Sequence, residues 1–193
     1  MTSNPFNNHQ IHECCGNDEL RPQWMYIYFH NGFAFATDAS ILIAISLSDL
    51  YADERMINFL NGRKIHKDDF KLLYKPYYIS LEEPFTIRLS EERGTVIQLS
   101  EIDYEAHKGF SMILQVLEAF QAEFNSKIIP IESIKLNLRF VEQLYKLIDE
   151  LAVVRFTFLP NKNALYMEFD LFKKSYGVLM LIKDEDKEIT AIK

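Results

Sequence analysis

Apolar residues fall at strand and helix spacings along most of the chain, and their order predicts the elements. Trp24 to Phe29 is aromatic and β-branched, His30-Asn31-Gly32 supplies the positive φ of a tight turn, and Phe33 to Thr37 returns as the second strand of a hairpin. Ile41 to Leu47 reads as a third strand. Ser48 to Gly62 is mixed, a connector with a short helical turn that stops at Asn61-Gly62. Lys67 to Lys75 reads as a short helix ended by Pro76, with Phe70, Leu73 and Tyr74 on one face. Tyr77 to Leu81, Phe85 to Leu89 and Thr95 to Leu99 then alternate as three strands.

The second half has the same grammar. Phe110, Ile113, Leu114, Leu117 and Phe120 space a helix over 110–124. A loop runs through Pro130, Ile134 to Leu136 is a short strand, and Asn137 is a candidate N-cap. The helix from Leu138 to Leu151 carries Phe140, Val141, Leu144, Leu147, Ile148 and Leu151 on one stripe. Val153 to Leu159, Ala164 to Phe169 and Gly177 to Ile182 follow as strands. A helix followed by three strands thus occurs twice, which predicts an α+β fold with helices on one face of antiparallel sheets. The expected divisions are an N-terminal arm at 1–20, a first unit at 21–105, a helical connector at 106–133, a second unit at 134–183 and a charged tail at 184–193.

Composition narrows the function classes. The 193 residues are 48% hydrophobic and 13% aromatic, enough for a sizeable core. A formal net charge of -7 argues against general coating of nucleic acid, so any DNA contact must be a local basic stripe. No apolar run approaches the roughly 20 residues of a membrane helix, and the opening MTSNPFNNHQ lacks the order of a signal peptide, so a cytoplasmic protein without membrane contact is expected. Cys14 and Cys15 are adjacent, which disfavours a disulfide framework. With His9, His12 and Glu13 they suggest a metal site, but no second ligand pair follows at finger-like spacing; a reduced, partly ordered arm is the simpler reading.

The segment ELRPQWMYIYFHNGFAFATDASILIA, 19–44, resembles the ring-forming DNA sliding clamps of bacteria, the beta subunit of DNA polymerase III. In that family an Arg-Pro pair leads into a hydrophobic strand, an Asn-Gly or Asp-Gly turn follows, and the next strand ends in Ala-Thr-Asp-Gly-His-Arg-Leu-Ala. Arg21 and Pro22, Asn31 and Gly32, and Ala36, Thr37 and Asp38 stand in those places. The resemblance covers 21 to about 104 and returns over 134–182, with material for about one and a half of the family's three domains. It implies a tether rather than a catalyst, one that touches duplex DNA through a helix-lined face, recruits polymerase or repair proteins through a short peptide motif, and forms a homo-oligomer. It implies no cofactor.

Two surfaces follow as candidates. Lys67, Lys71 and Lys75 recur every fourth residue as one helical stripe, with Arg63 and Lys64 just before it, and Arg139, Gln143 and Lys146 lie opposite the apolar stripe of the later helix. These could track phosphates or be ordinary solvated faces, since Asp68, Asp69, Glu142 and Glu150 sit among them. The resemblance makes Arg21 a DNA-contacting position and implies sequence-independent contacts to the backbone. It also implies a peptide groove, with Thr37, Ala39, Ser40, Ile41 and Leu42 on the corner and Val178, Leu179, Met180 and Leu181 on the last strand. There the family's Gly, His and Arg have become Ala39, Ser40 and Ile41, and its Pro has become Met180, so an apolar groove is expected with altered polar specificity. The same residues could equally be ordinary core strands.

Catalysis has the least support. The five histidines at 9, 12, 30, 66 and 107 fall in no recognised spacing, and there is no Walker loop, GxGxxG or HExxH. Asp38, in the corner after a strand, is explained more simply as a turn-stabilising carboxylate than as a catalytic one. A metal-dependent enzyme built on His12, Glu13, Cys14 and Cys15 is the remaining alternative, and an adaptor that keeps the fold without ring or DNA function is another.

Overall fold

Alternating side chains along the central strands decide the architecture. The structure is a computed structural model that describes residues 2–74, 76–89, 95–104, 108–124, 138–147, 154–159, 164–170 and 174–181. Its strands are β1 (Thr2–Ser3), β2 (Tyr26–His30), β3 (Phe33–Thr37), β4 (Ile41–Ser46), β5 (Arg63–His66), β6 (Tyr78–Glu82), β7 (Thr86–Leu89), β8 (Val96–Gln98), β9 (Ser100–Glu101), β10 (Val154–Leu159), β11 (Ala164–Phe169) and β12 (Tyr176–Met180). Its α-helices are α1 (Glu54–Leu60), α2 (Lys67–Lys71), α3 (Lys108–Phe124) and α4 (Leu138–Leu147), with 3-10 turns at Ile11–Cys14, Pro22–Met25 and Leu72–Tyr74.

The β2–β3 hairpin closes through Asn31 and Gly32, whose φ of 49° and 77° match the two-residue turn that their sequence demands. β4 continues the meander, and β12 pairs antiparallel to it, with Val178 opposite Leu42 and Leu179 opposite Ile41. The result is an eight-stranded sheet in the order β10-β11-β12-β4-β3-β2-β5-β9, beside a four-stranded sheet β1-β6-β7-β8. The two predicted strand triplets therefore fall into different sheets.

Both faces of the large sheet are covered, which is why β4 reads ILIAIS without polar alternation. Ile27, Phe29, Ala34, Ala36, Ile43 and Ile45 point to one side, where they join Phe70 of α2 and Phe140, Leu144 and Leu147 of α4. Tyr28, Phe35, Leu42, Ala44 and Val178 point to the other, against Phe110, Ile113, Leu117 and Phe120 of α3. Each such large apolar side chain contributes about 1.5–3 kcal/mol on full burial. The α+β class and the antiparallel sheets agree with the sequence pattern. The expectation of helices on a single face does not hold for the large sheet: α3 and α4 pack on opposite faces, because successive strand residues carry apolar side chains both ways.

The N-terminal residues are not an arm. Phe6 and Ile11 are fully buried, Phe6 lies 5.9 Å from the Phe29 ring and 5.1 Å from that of Phe70, and Thr2–Ser3 pairs with β6. Asn4 Nδ2 donates to the carbonyls of Leu73 and Pro76, both at 2.7 Å, so the Asn-rich composition conceals a tie into the core. The connector after Ser48 holds a two-turn helix, α1, capped by Asp53, whose carboxylate accepts from Met56 N–H at 2.7 Å. The predicted strand at 134–136, the cap at Asn137, the helix beyond Leu147 and the tail at 184–193 lie outside the described residues. Among the described residues no helix is long and apolar enough to cross a membrane.

Candidate functional site

The turn between β3 and β4 is held from within. Asp38 Oδ1 accepts from the N–H groups of Ser40 and Ile41 at 2.9 and 3.0 Å, and Thr37 Oγ1 donates to the Ile41 carbonyl at 2.7 Å while accepting from Ala39 N–H at 3.0 Å. This is the turn-stabilising role expected of Asp38. Ala39 pays no side-chain entropy but sits at φ 74°, in the left-handed region where glycine is favoured. Met180 N–H donates to the Ser40 carbonyl at 2.8 Å, which ties the end of β12 to the corner.

These elements form the floor of an apolar cleft of about 300 Å³. Thr37, Ile41, Leu42 and Val178 are buried at its base, with Ala39, Ser40 and Met180 at the rim. The opposite wall is α3, through Met112, Ile113, Val116 and Phe120, and Gln23 and Trp24 close one end. Phe110, stacked on Tyr28 at 4.7 Å, fixes the position of α3, and the Tyr28 hydroxyl donates to the Gln23 carbonyl at 2.6 Å. Burial pushes the Tyr28 hydroxyl pKa up, so it remains a donor. Gly16 N–H donates to the Trp24 carbonyl at 2.8 Å and anchors that end from the N-terminal side.

Of the residues expected to form a groove, Thr37, Ala39, Ser40, Ile41, Leu42, Val178 and Met180 line this one cleft. Leu179 and Leu181 do not: alternation along β12 turns them to the α4 side of the sheet, where Leu179 belongs to the core cluster and Leu181 packs on it. The α3 wall was not among the expected residues. Its signal was in the sequence, since Met112 and Val116 are apolar yet lie off the core-facing stripe of their helix, and here they are exposed at 60% and 39%.

Among the described residues the basic positions present no continuous stripe. Lys64 is only 8% exposed, lies over the Tyr26 ring at 5.0 Å, and has its pKa lowered by burial, which Asp103 partly offsets. Arg63 is clasped between the rings of Phe59 and Phe85 at 4.7 and 4.0 Å, and its guanidinium donates to the Phe59 carbonyl. Lys67 turns back to the Gly16 carbonyl at 3.0 Å and to Asn17 Oδ1. α2 is a single turn, with exposed Lys71 beside exposed Asp68 and Asp69; Lys75 lies outside the described residues.

On α4, Gln143 is buried and donates to the Glu13 carbonyl at 2.8 Å, and Lys146 bridges Glu142 at 3.1 Å and Glu13 at 3.5 Å. The hydrogen bond to Glu142, followed by the charge of Glu13, raises the Lys146 pKa. Arg139 reaches the Asp38 carboxylate at 3.5 Å. Arg21 stacks on Trp24 at 4.5 Å, with Asp18 at 3.7 Å.

The His-Glu-Cys-Cys segment is a buried 3-10 turn rather than an open ligand set. Cys14 and Cys15 are buried free thiols, and His12 packs near the Phe70 ring at 6.1 Å. Among the described residues no three of His, Cys, Asp and Glu gather closely enough to hold a metal ion. No family model, curated protein or solved structure matches this chain. The cleft, rather than kinship, has to carry the functional reading.

Proposed function

We propose that this protein is a non-catalytic interaction module of clamp-like fold that takes a short apolar peptide of a replication or repair protein in the cleft between α3 and the β3–β4 corner. The observation that carries the reading is that the corner and β12, expected from sequence to frame a peptide groove, open onto one apolar cleft. Its volume of about 300 Å³ is at the small end for ligand sites and suits a few apolar side chains better than a whole cofactor. The exposed methionines at its mouth, Met112 and Met180, are unbranched and adapt to differently shaped side chains.

A tether on duplex DNA is the second reading. Exposed Arg21 and Lys71 favour it, while the intramolecular engagement of Arg63, Lys64, Lys67 and Lys146 and the net charge of -7 weigh against it. Ring closure and copy number belong to that reading. The test is calorimetric titration of a synthetic peptide with a Leu-Val-Phe core in a Gly-Ser surround. The reading expects saturable binding that weakens by roughly tenfold in Met112→Glu, which places a charge in the apolar mouth, while stability stays within about 0.5 kcal/mol because Met112 is exposed. Equal binding by both proteins would remove the cleft from consideration.

A further inference from the structure

The apolar cleft has an asymmetric rim. At the end closed by Trp24, the Arg21 guanidinium lies over the indole at 4.5 Å, so a cation stands against a residue of the cleft wall. The Arg21 side chain is 56% exposed, and its carboxylate neighbour Asp18 stands at 3.7 Å with 45% of its own side chain in solvent. That separation is long for a charge-assisted hydrogen bond, and the pair is bathed in water, so Asp18 neutralises Arg21 only weakly. Asp18 is also committed elsewhere, since its Oδ1 accepts from Leu20 N–H at 2.9 Å.

The other arginine near the corner is differently placed. Arg139 reaches Asp38 Oδ2, and the Asp38 side chain is only 8% exposed and holds the turn through its other oxygen. Arg139 is thereby directed at a structural carboxylate. Lys67, whose sequence position suggested a phosphate contact, is directed at Gly16 and Asn17. Arg21, which lies over Trp24 of the cleft wall, is therefore the cation beside the cleft best disposed to receive an incoming anion.

Resting on the peptide reading of the cleft, we infer that the preferred occupant is an acidic-apolar segment, whose large apolar side chains enter the cleft while an adjacent Asp or Glu pairs with Arg21 over Trp24. Stacking holds the guanidinium plane in place, so less side-chain freedom is lost when the carboxylate arrives. With 56% of its side chain in solvent, the guanidinium is accessible to a bidentate contact. Apolar burial supplies the affinity, and the charge selects among apolar peptides and fixes the direction in which they lie. A phosphate backbone would meet the same cation, but it offers nothing to the apolar cleft beside it.

The experiment uses the full chain and three labelled peptides that share a Leu-Val-Phe core, flanked on both sides by Asp-Glu, Ser-Gln or Lys-Arg. The lone tryptophan at the cleft wall reports occupancy. The acid-flanked peptide should bind about two- to fivefold more tightly than the neutral one, the range of an exposed ion pair, and the basic-flanked one more weakly. Arg21→Gln should abolish the difference between the acid-flanked and neutral peptides. Asp18→Asn, which retains the side-chain oxygen for Leu20, should enlarge it. Equal affinity of all three peptides overturns the inference and leaves the cleft reading standing, whereas failure of every peptide overturns both. Arg21-dependent binding of duplex DNA with no preference among the peptides also overturns it, in favour of a phosphate contact.

Discussion

The backbone N–H of Met180 donates to the carbonyl of Ser40 at 2.8 Å, and this bond joins the last described strand to a corner formed early in the chain. Neither segment makes a cleft alone. Their junction lays Val178 and Leu42 side by side as its base and leaves Met180 at the rim.

The approach of β12 to β4 depends on Gly177. A Cβ there would meet Met167 Cε at 2.7 Å, Ile43 Cδ1 at 2.8 Å and the Leu42 carbonyl at 3.0 Å. The two side-chain ends can shift, but the backbone carbonyl cannot without disturbing the ladder. Gly177→Ala should destabilise the fold by about 1–3 kcal/mol, read from urea unfolding, through overpacking of a tight core. A neutral effect would mean that β12 is held less closely to β4.

The corner carries strain of the opposite kind. Ala39 holds a φ of 74°, and an L-residue in that region costs about 1–2 kcal/mol relative to its right-handed alternative. Ala39→Gly should raise stability by about 0.5–1 kcal/mol after the added flexibility of the unfolded chain is counted. Thermal unfolding checks the sign.

Much of this architecture was legible in the sequence, and the exceptions have physical causes. The Asn31-Gly32 hairpin and β11, at Ala164–Phe169, appear where the apolar alternation and turn chemistry placed them. β5 is not legible in the sequence because Arg63, Lys64 and His66 leave Ile65 as its single large apolar residue; pairing with β2 and the cover of Tyr26 over Lys64 make it a strand. The burial of the N-terminal segment is not legible in the sequence because Phe6 and Ile11, isolated among polar residues, form no periodic pattern. Their burial depends on Phe29 and Phe70, which are distant in sequence. The corner and last strand of the cleft follow from the resemblance, whereas the α3 wall shows in the sequence only as apolar Met112 and Val116 lying off the core-facing stripe of their helix.

Acidification should destabilise the protein through His12. Burial lowers its pKa below the ordinary 6.5, assisted by Lys71 and Lys146 and opposed by Glu13 and Asp68. Among the described residues its buried Nδ1 has no hydrogen-bond partner that would hold a proton. Above 6.5 the histidine is neutral folded or unfolded and contributes nothing to the pH dependence. As pH falls through 6.5 the unfolded chain takes up the proton first, so stability declines until the native histidine also protonates. His30 is lowered in the same direction by burial. Urea midpoints at about pH 7.5 and about pH 5.5 should therefore differ, and His12→Leu should shrink the difference without removing it.

The adjacent thiols should be inert in the native state. Burial pushes Cys15 up to about 12, and it raises Cys14 as well, with the charges of Cys15, Asp38 and Glu13 adding to the effect. The thiolate is the reactive form, so a disulfide reagent at about pH 8 should label neither cysteine in folded protein and both in urea. Rapid labelling of the folded chain would place the Ile11–Cys14 turn outside the core.

The central claim is that the cleft between α3 and the β3–β4 corner receives an apolar peptide, and Trp24 at its wall allows this to be measured without a label. The most direct measurement is a titration of Trp24 emission with the Leu-Val-Phe peptide and, in parallel, with a short DNA duplex at low and moderate salt. The account predicts a saturable blue shift with the peptide, little sensitivity to salt, and no comparable change with the duplex. An emission that ignores the peptide but follows the duplex, with affinity falling steeply as salt rises, would contradict it and favour the DNA tether.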